Sequence, residues 1–143
     1  MKSIACWLKL PLAVTLACGA LTVSAQDKVV YHVDNAAAQG LKGLRSIRNH
    51  LDTAPETRVI VVTHADGVDL LLEGAKEEKS KTEYAPLVSA LKGRGVKFEI
   101  CEITLKNRSL RKDQFVLDAD YTPSGVVRIT QLQGRENYAY IKP

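Results

Sequence analysis

Three short groups of polar or reactive residues follow strand-like runs: Asp34 and Asn35, His64 to Gly67, and Cys101 with Glu102. Cys101 sits in "GVKFEICEITLKNRS", between a strand-like and a helix-like segment. A thiolate there is a nucleophile. A helix starting just after it would favour the charged form through backbone N–H groups and the helix dipole. Lys106 and Arg108 would add to that effect and Glu102 would oppose it. His64 can serve as a base, as a cation beside a thiolate, or as a strand-end hydrogen bonder. The competing reading of Cys101 is a small apolar residue that merely fills the end of a strand.

Other chemistries are poorly supported. "HADGVDLL" holds one glycine in a tight turn, which is neither a phosphate loop nor a dinucleotide fingerprint. No G-x-S-x-G nucleophile elbow is present. Glu77 and Glu78 lie in a charged, solvated run. Asp34 and Asp66 can approach each other at neighbouring strand ends. His32 falls inside a strand and reads as structural, and His50 sits on a helix surface. No two histidines have metal-ligand spacing, and a lone cysteine adds little, so no metal site or cofactor is expected.

The chain opens "MKSIACWLKLPLAVTLACGALTVSAQDK". Two lysines, an apolar stretch and the small residues Val23-Ser24-Ala25 read as a secretory signal peptide over residues 1–25, cleaved before Gln26. A retained anchor is the alternative, but the stretch is short for a span of roughly 20 residues. The expected location is the periplasm, with no stable membrane anchor after cleavage. Residues 26–143 then form one domain. The full chain carries a formal +4, and the leader takes Lys2 and Lys9 with no acidic residue, leaving +2. That is too near neutral to argue for nucleic acid. Cleavage also removes Cys6 and Cys18. Cys101 becomes the sole thiol, which excludes a disulfide-stapled fold and a C-x-x-C mechanism.

The elements that must position these residues alternate. Lys28–Asp34 reads as a strand, and Ala36–Leu51 as a helix with Leu41, Leu44, Ile47 and Leu51 on one face, capped by Asp34 or Asn35. Arg58–His64 is a strand buried on both faces. Tyr84, Leu87, Val88 and Leu91 mark a second amphipathic helix, stopped by "GRG". Val96–Cys101 is a third strand. Its alternation puts Val96, Phe98 and Ile100 on one side and Lys97, Glu99 and Cys101 on the other, which predicts a half-exposed strand at an edge or a subunit contact. "TLKNRSLRKDQF" reads as helical turns and "FVLD" as a short fourth strand. A last helix is expected from a Thr122 cap, with Pro123 in its first turn, to Gly134, before the closing strand "NYAYI". The pattern predicts an α/β fold, a three-layer α/β/α sandwich on a mainly parallel sheet of about five strands. Ligands in such sheets bind beyond the carboxyl ends of the strands, where the three polar groups lie.

"VVYHVD", "VIVVTHADGVDLLL" and "GVKFEICEITLKNRSL" together resemble the DsrE/DsrF-like family, in its small exported single-domain branch. The most specific element is a G-V-x-F-x-x-C strand followed by T-L-x-x-R. The resemblance implies a compact α/β/α fold that forms homo-oligomers and works in sulfur relay. A cysteine after a strand would take up sulfane sulfur as a persulfide and pass it to a partner protein. Carried onto this chain, that cysteine is Cys101, and His64 with the Asp66-Gly67 turn and Asn35 would line its pocket. Ile103 stands where relatives often have asparagine, and Ala65 where they have glycine. The expected activity is that of a sulfurtransferase-like carrier with a donor or acceptor protein as partner. The rival is a non-catalytic oligomeric binding or assembly module using the same crevice or the third strand's edge.

Overall fold

The computed structural model describes residues 26–116 and 119–143. The proposed leader lies outside the described residues. Five strands, β1 (Lys28–Asn35), β2 (Arg58–Asp66), β3 (Lys97–Cys101), β4 (Asp120–Thr122) and β5 (Ala139–Ile141), form one sheet in the order β4-β3-β2-β1-β5. Every pairing is parallel. The helices are α1 (Ala36–Thr53), α2 (Tyr84–Lys92), α3 (Glu102–Asn107) and α4 (Gly125–Glu136), with short 3-10 turns at Gly67–Leu71 and Lys112–Gln114. No helix among the described residues is long and apolar enough to cross a membrane.

The distribution of helices follows from chain direction. From β1 to β4 each new strand is added on the same side of the last, so right-handed crossovers place α1, α2 and α3 on one face. The final connection reverses, carrying the chain past β3, β2 and β1 to β5. The same handedness then puts α4 on the opposite face. The apolar clusters agree. Leu44, Ile47, Leu51, Val88, Leu91 and Leu105 pack with Tyr31, Val59, Val61, Phe98 and Ile100 in the larger core. Ile129 and Leu132 of α4 pack with Val30, Ile60 and Val62 in the smaller one. Fully burying each such side chain contributes about 1.5–3 kcal/mol.

Local signals explain most element ends. Asn35 caps α1, its side chain accepting the Ala38 N–H at 2.9 Å. Gly95, at φ 87°, lets the chain turn out of α2. Four expectations need correction. The cap of α4 is Ser124, which accepts from Val127 N–H, and α4 begins at Gly125, so Thr122 and Pro123 precede it. The helix also runs past Gly134 to Glu136 and closes on Asn137 in the left-handed conformation, φ 57°. The fourth strand is Asp120–Thr122 rather than "FVLD". Phe115 instead makes an isolated bridge to Leu72, and Leu117 and Asp118 lie outside the described residues.

The fourth correction concerns β3. It is an interior strand between β2 and β4, not an edge. Its polar-looking side faces α4. Glu99 is buried there against Arg128, whose Nε donates to it at 2.8 Å and whose second arm reaches Glu136 at 2.7 Å. The alternation of "VKFEIC" therefore reports two differently covered faces, not one wet face. Glu99→Gln should destabilise the fold by about 1–2 kcal/mol in urea unfolding, because it removes the buried partner of a partly buried guanidinium that keeps only Glu136 as counter-charge.

Gly67 has a packing role of its own. A Cβ there would stand 2.0 Å from the Val33 carbonyl oxygen and 2.9 Å from the Asp34 Cα. The turn after β2 is thus pressed against the end of β1. Gly67→Ala should cost about 3 kcal/mol or more, visible as a large fall in the thermal midpoint.

Candidate functional site

Cys101 ends β3 directly before α3, and β4 lies beside it in register, Cys101 opposite Thr122. From these two strand ends the chain leaves to opposite faces, α3 to one and α4 to the other. The crevice of a parallel sheet opens at such a divergence. Cys101 occupies it, 5 % exposed.

Burial pushes the Cys101 thiol up. The N–H of Gly125, the hydroxyl and N–H of Thr104 and the N–H of Ile103 act against burial and outweigh it, holding the thiol below its ordinary value. Cys101 stands at the cap position of α3, and its side chain makes no capping hydrogen bond there. The donors act collectively: those from the starts of α3 and α4 converge on one sulfur. Among them, Gly125 is placed by tight packing. A Cβ on it would stand 3.1 Å from the His64 Cβ and 3.4 Å from the Cys101 Cβ. The same contacts set His64 beside Cys101 across the Gly125 backbone.

Thr104 and Arg108 tie α3 to the end of β2. Thr104 Oγ1 accepts the Ala65 N–H at 3.0 Å. Arg108 donates to the Ala65 carbonyl at 3.2 Å and pairs with Asp69 at 2.9 Å. Ala65 is held between them at φ 48°, a left-handed conformation that disfavours a Cβ. The T-L-x-x-R segment thus divides its labour: Thr104 and Arg108 grip the turn, and Leu105 enters the core.

On the α4 face of β1 and β2 the histidines form a cluster. His32 Nε2 lies 2.6 Å from His64 Nε2, and its Nδ1 lies 2.6 Å from the Tyr140 hydroxyl. The imidazole planes differ by 22° with centroids 4.8 Å apart. With the nitrogens only 2.6 Å apart, the rings meet end to end rather than face to face. Burial, and then the neighbouring His64, lower the His32 pKa. Asp34, two residues on from His32 and on the same side of β1, pairs with Lys142 at 2.6 Å.

The residues singled out in the sequence therefore separate. Cys101 and His64 come together. The Asn35 side chain is used in capping α1, and Asp66 is exposed, 3.8 Å from Arg108. Both border a groove on the opposite face, with Ala36 and Tyr84. Asp34 and Asp66 do not pair with each other but with Lys142 and Arg108. Gly67 supports β1. Sequence reasoning passed over His32, Thr104 and Gly125. The parity of β1 and β2 held the missing signal, since His32 and His64 occupy the same face of adjacent parallel strands.

The DsrE/DsrF-like family profile matches residues 20–143. The chain belongs to the DsrE/DsrF-like family. A protein of unknown function from Methanobacterium thermoautotrophicum is similar in structure, with a TM-score of 0.72 and 31 % identity over 82 % of this chain and 100 % of its own. The ychN protein of E. coli has a TM-score of 0.64 and 14 % identity, covering 82 % of this chain and 99 % of its own, a likeness of fold alone. A search of curated proteins gave no match. The five-stranded parallel sheet with its helices is the fold of this family.

Replacing Ala65 by glycine relieves the left-handed Cβ penalty of about 1–2 kcal/mol and adds part of it back as chain entropy. Ala65→Gly should stabilise the protein by about 0.5–1 kcal/mol, measured by urea unfolding, with the Cys101 environment unchanged.

Proposed function

We propose that this protein carries sulfane sulfur on Cys101, as a sulfurtransferase-like relay component of the periplasm. The observation that carries the reading is the place of Cys101, a buried thiol where α3 and α4 part, packed against the Gly125 backbone and with its charged form favoured by the helix starts around it. A site that favours a thiolate also favours a persulfide, which is anionic near neutral pH. Membership of a family associated with sulfur relay supports the same chemistry. The apolar, cleavable-looking leader supports export.

In the first step the Cys101 thiolate attacks the outer sulfur of a donor. A new S–S bond forms, the donor's S–S bond breaks, and the electron pair leaves on the donor's sulfur. In the second step an acceptor thiolate attacks the carried sulfur, and Cys101 departs as the thiolate. Charge and redox state balance without an outside oxidant. Thiolate fraction and access set the rate of both steps. Exposed Ile103, Val126 and Val127 stand on the two helices that start at the cysteine and offer apolar contact to a donor, an acceptor or a second copy. Asn35, Asp66 and Gly67 act here only by shaping the strand ends.

Intact-mass analysis after incubation with a polysulfide donor tests the reading. The wild type should gain 32 Da, about the mass of one sulfur atom, removable by dithiothreitol, and Cys101→Ser should gain nothing. A thiol that reacts only after denaturant is added would sink the carrier role.

Alkylation kinetics test the cradle separately. Native Cys101 should reach its plateau rate at lower pH than an ordinary cysteine, because its folded pKa is depressed. Thr104→Val removes one donor and should move the rate profile to higher pH, with loss of roughly tenfold in rate near neutrality, the equivalent of one hydrogen bond to a charged group.

A further inference from the structure

The cluster on the α4 face of β1 and β2 lies beside the cysteine but is used by neither step of the sulfur transfer. One ligand atom from each of His32, Asp34 and His64 falls within 4.8 Å of the other two. All three residues are only partly buried, so the cluster can be reached from solvent. We propose that His32, Asp34 and His64 form a binding site for a divalent first-row transition metal ion, with two imidazoles and one carboxylate as ligands.

The backbone sets the arrangement. His32 and Asp34 are two residues apart on one strand, so they project from the same face. His32 pairs in register with Val62 of β2, and His64 follows Val62 by two residues, again on that face. A H-x-D pair on one strand and a histidine on its parallel neighbour give a two-histidine, one-carboxylate set, with the remaining coordination positions left for solvent or an anion.

The orientation of the donors fits an ion. Nε2 of both histidines points into the space between the rings, 2.6 Å apart. Metal–nitrogen bonds of about 2.0–2.1 Å at a tetrahedral angle need the two nitrogens to part by roughly 0.7 Å, a small ring rotation. The other nitrogen of His32 is engaged by the Tyr140 hydroxyl at 2.6 Å. This outer hydrogen bond fixes the ring so that Nε2 is the nitrogen presented, as the outer partners of metal-bound histidines do. The carboxylate is held in the meantime by a cation. The Lys142 ammonium sits 2.6 Å from Asp34 Oδ2, where it stands in for positive charge. An arriving ion would displace Lys142 and draw Asp34 inward. Cys101 lies outside the ligand set, so metal binding does not rest on its reactivity.

Titration of the metal-free chain with Co(II), followed by visible absorption and calorimetry, tests the site. One Co(II) per chain should bind, with d–d bands that disappear on adding Zn(II). His32→Ala and His64→Ala should each weaken binding at least 100-fold, and Asp34→Asn about tenfold. Cys101→Ser should bind as the wild type does. Lys142→Ala should tighten binding severalfold, since it frees the Asp34 carboxylate. Asp34 and Lys142 are at or near the surface, so those two variants decide the matter even if a histidine variant folds poorly. Absence of Co(II) binding at 100 µM-scale concentrations, or binding indifferent to Asp34→Asn and Lys142→Ala, would overturn the proposal.

Discussion

A parallel crossover is right-handed, and the Cys101 environment is built from that constraint. As long as strands are added in one direction, their helices share one face. When the chain reverses after β4, its helix must take the other face. The loops leaving β3 and β4 then part, and a crevice opens between two helix starts. Cys101 is the last residue of β3, so it stands in that opening. Donors from both helices reach it because both begin there. A single helix would supply its own first N–H groups, but not that of Gly125.

The same constraint makes the two faces unequal. Three helices cover one face, and α4 alone covers the other. The face under α4 has room for groups that a large apolar core would exclude: the Glu99–Arg128 pair, His32, His64 and Tyr140. Glu99 is buried yet paired, and the histidines bond to each other and to tyrosine, which keeps the cost of burying polar atoms low. The reactive side chains of this protein therefore collect on its thinly covered side, next to the crevice. Close backbone approach fixes the details. Gly67 against Val33 and Gly125 against His64 and Cys101 are positions where a methyl group would push these neighbours aside.

Much of the fold was legible in the sequence. Strand and helix alternation predicted the parallel sheet, the hydrophobic spacing of Leu44, Ile47 and Leu51 located α1, and Asn35 before it marked the cap. The misreadings share a physical cause. Alternation in "VKFEIC" suggests exposure when read alone, although a strand between two unequal layers alternates in the same way. Thr122-Pro123 looks like a helix start because proline tolerates the first turn, while Ser124 offers a better cap two residues after Thr122. Family membership then rested on a match across nearly the whole chain, with the T-L-x-x-R segment explained by its grip on the turn after β2.

By itself the sequence determined which residues carry reactive groups, which strands they end, and that Cys101 is the lone cysteine beyond the leader-like segment. Local periodicity and turn chemistry are enough for that, since they act between near neighbours in the chain. Only the tertiary structure decided which of those residues meet. It brought His64 to Cys101 and His32, left Asn35 and Asp66 on the other face, and set the Gly125 N–H against a sulfur 24 positions away. Strand order and crossover hand govern such meetings, and neither is written in any short stretch of residues.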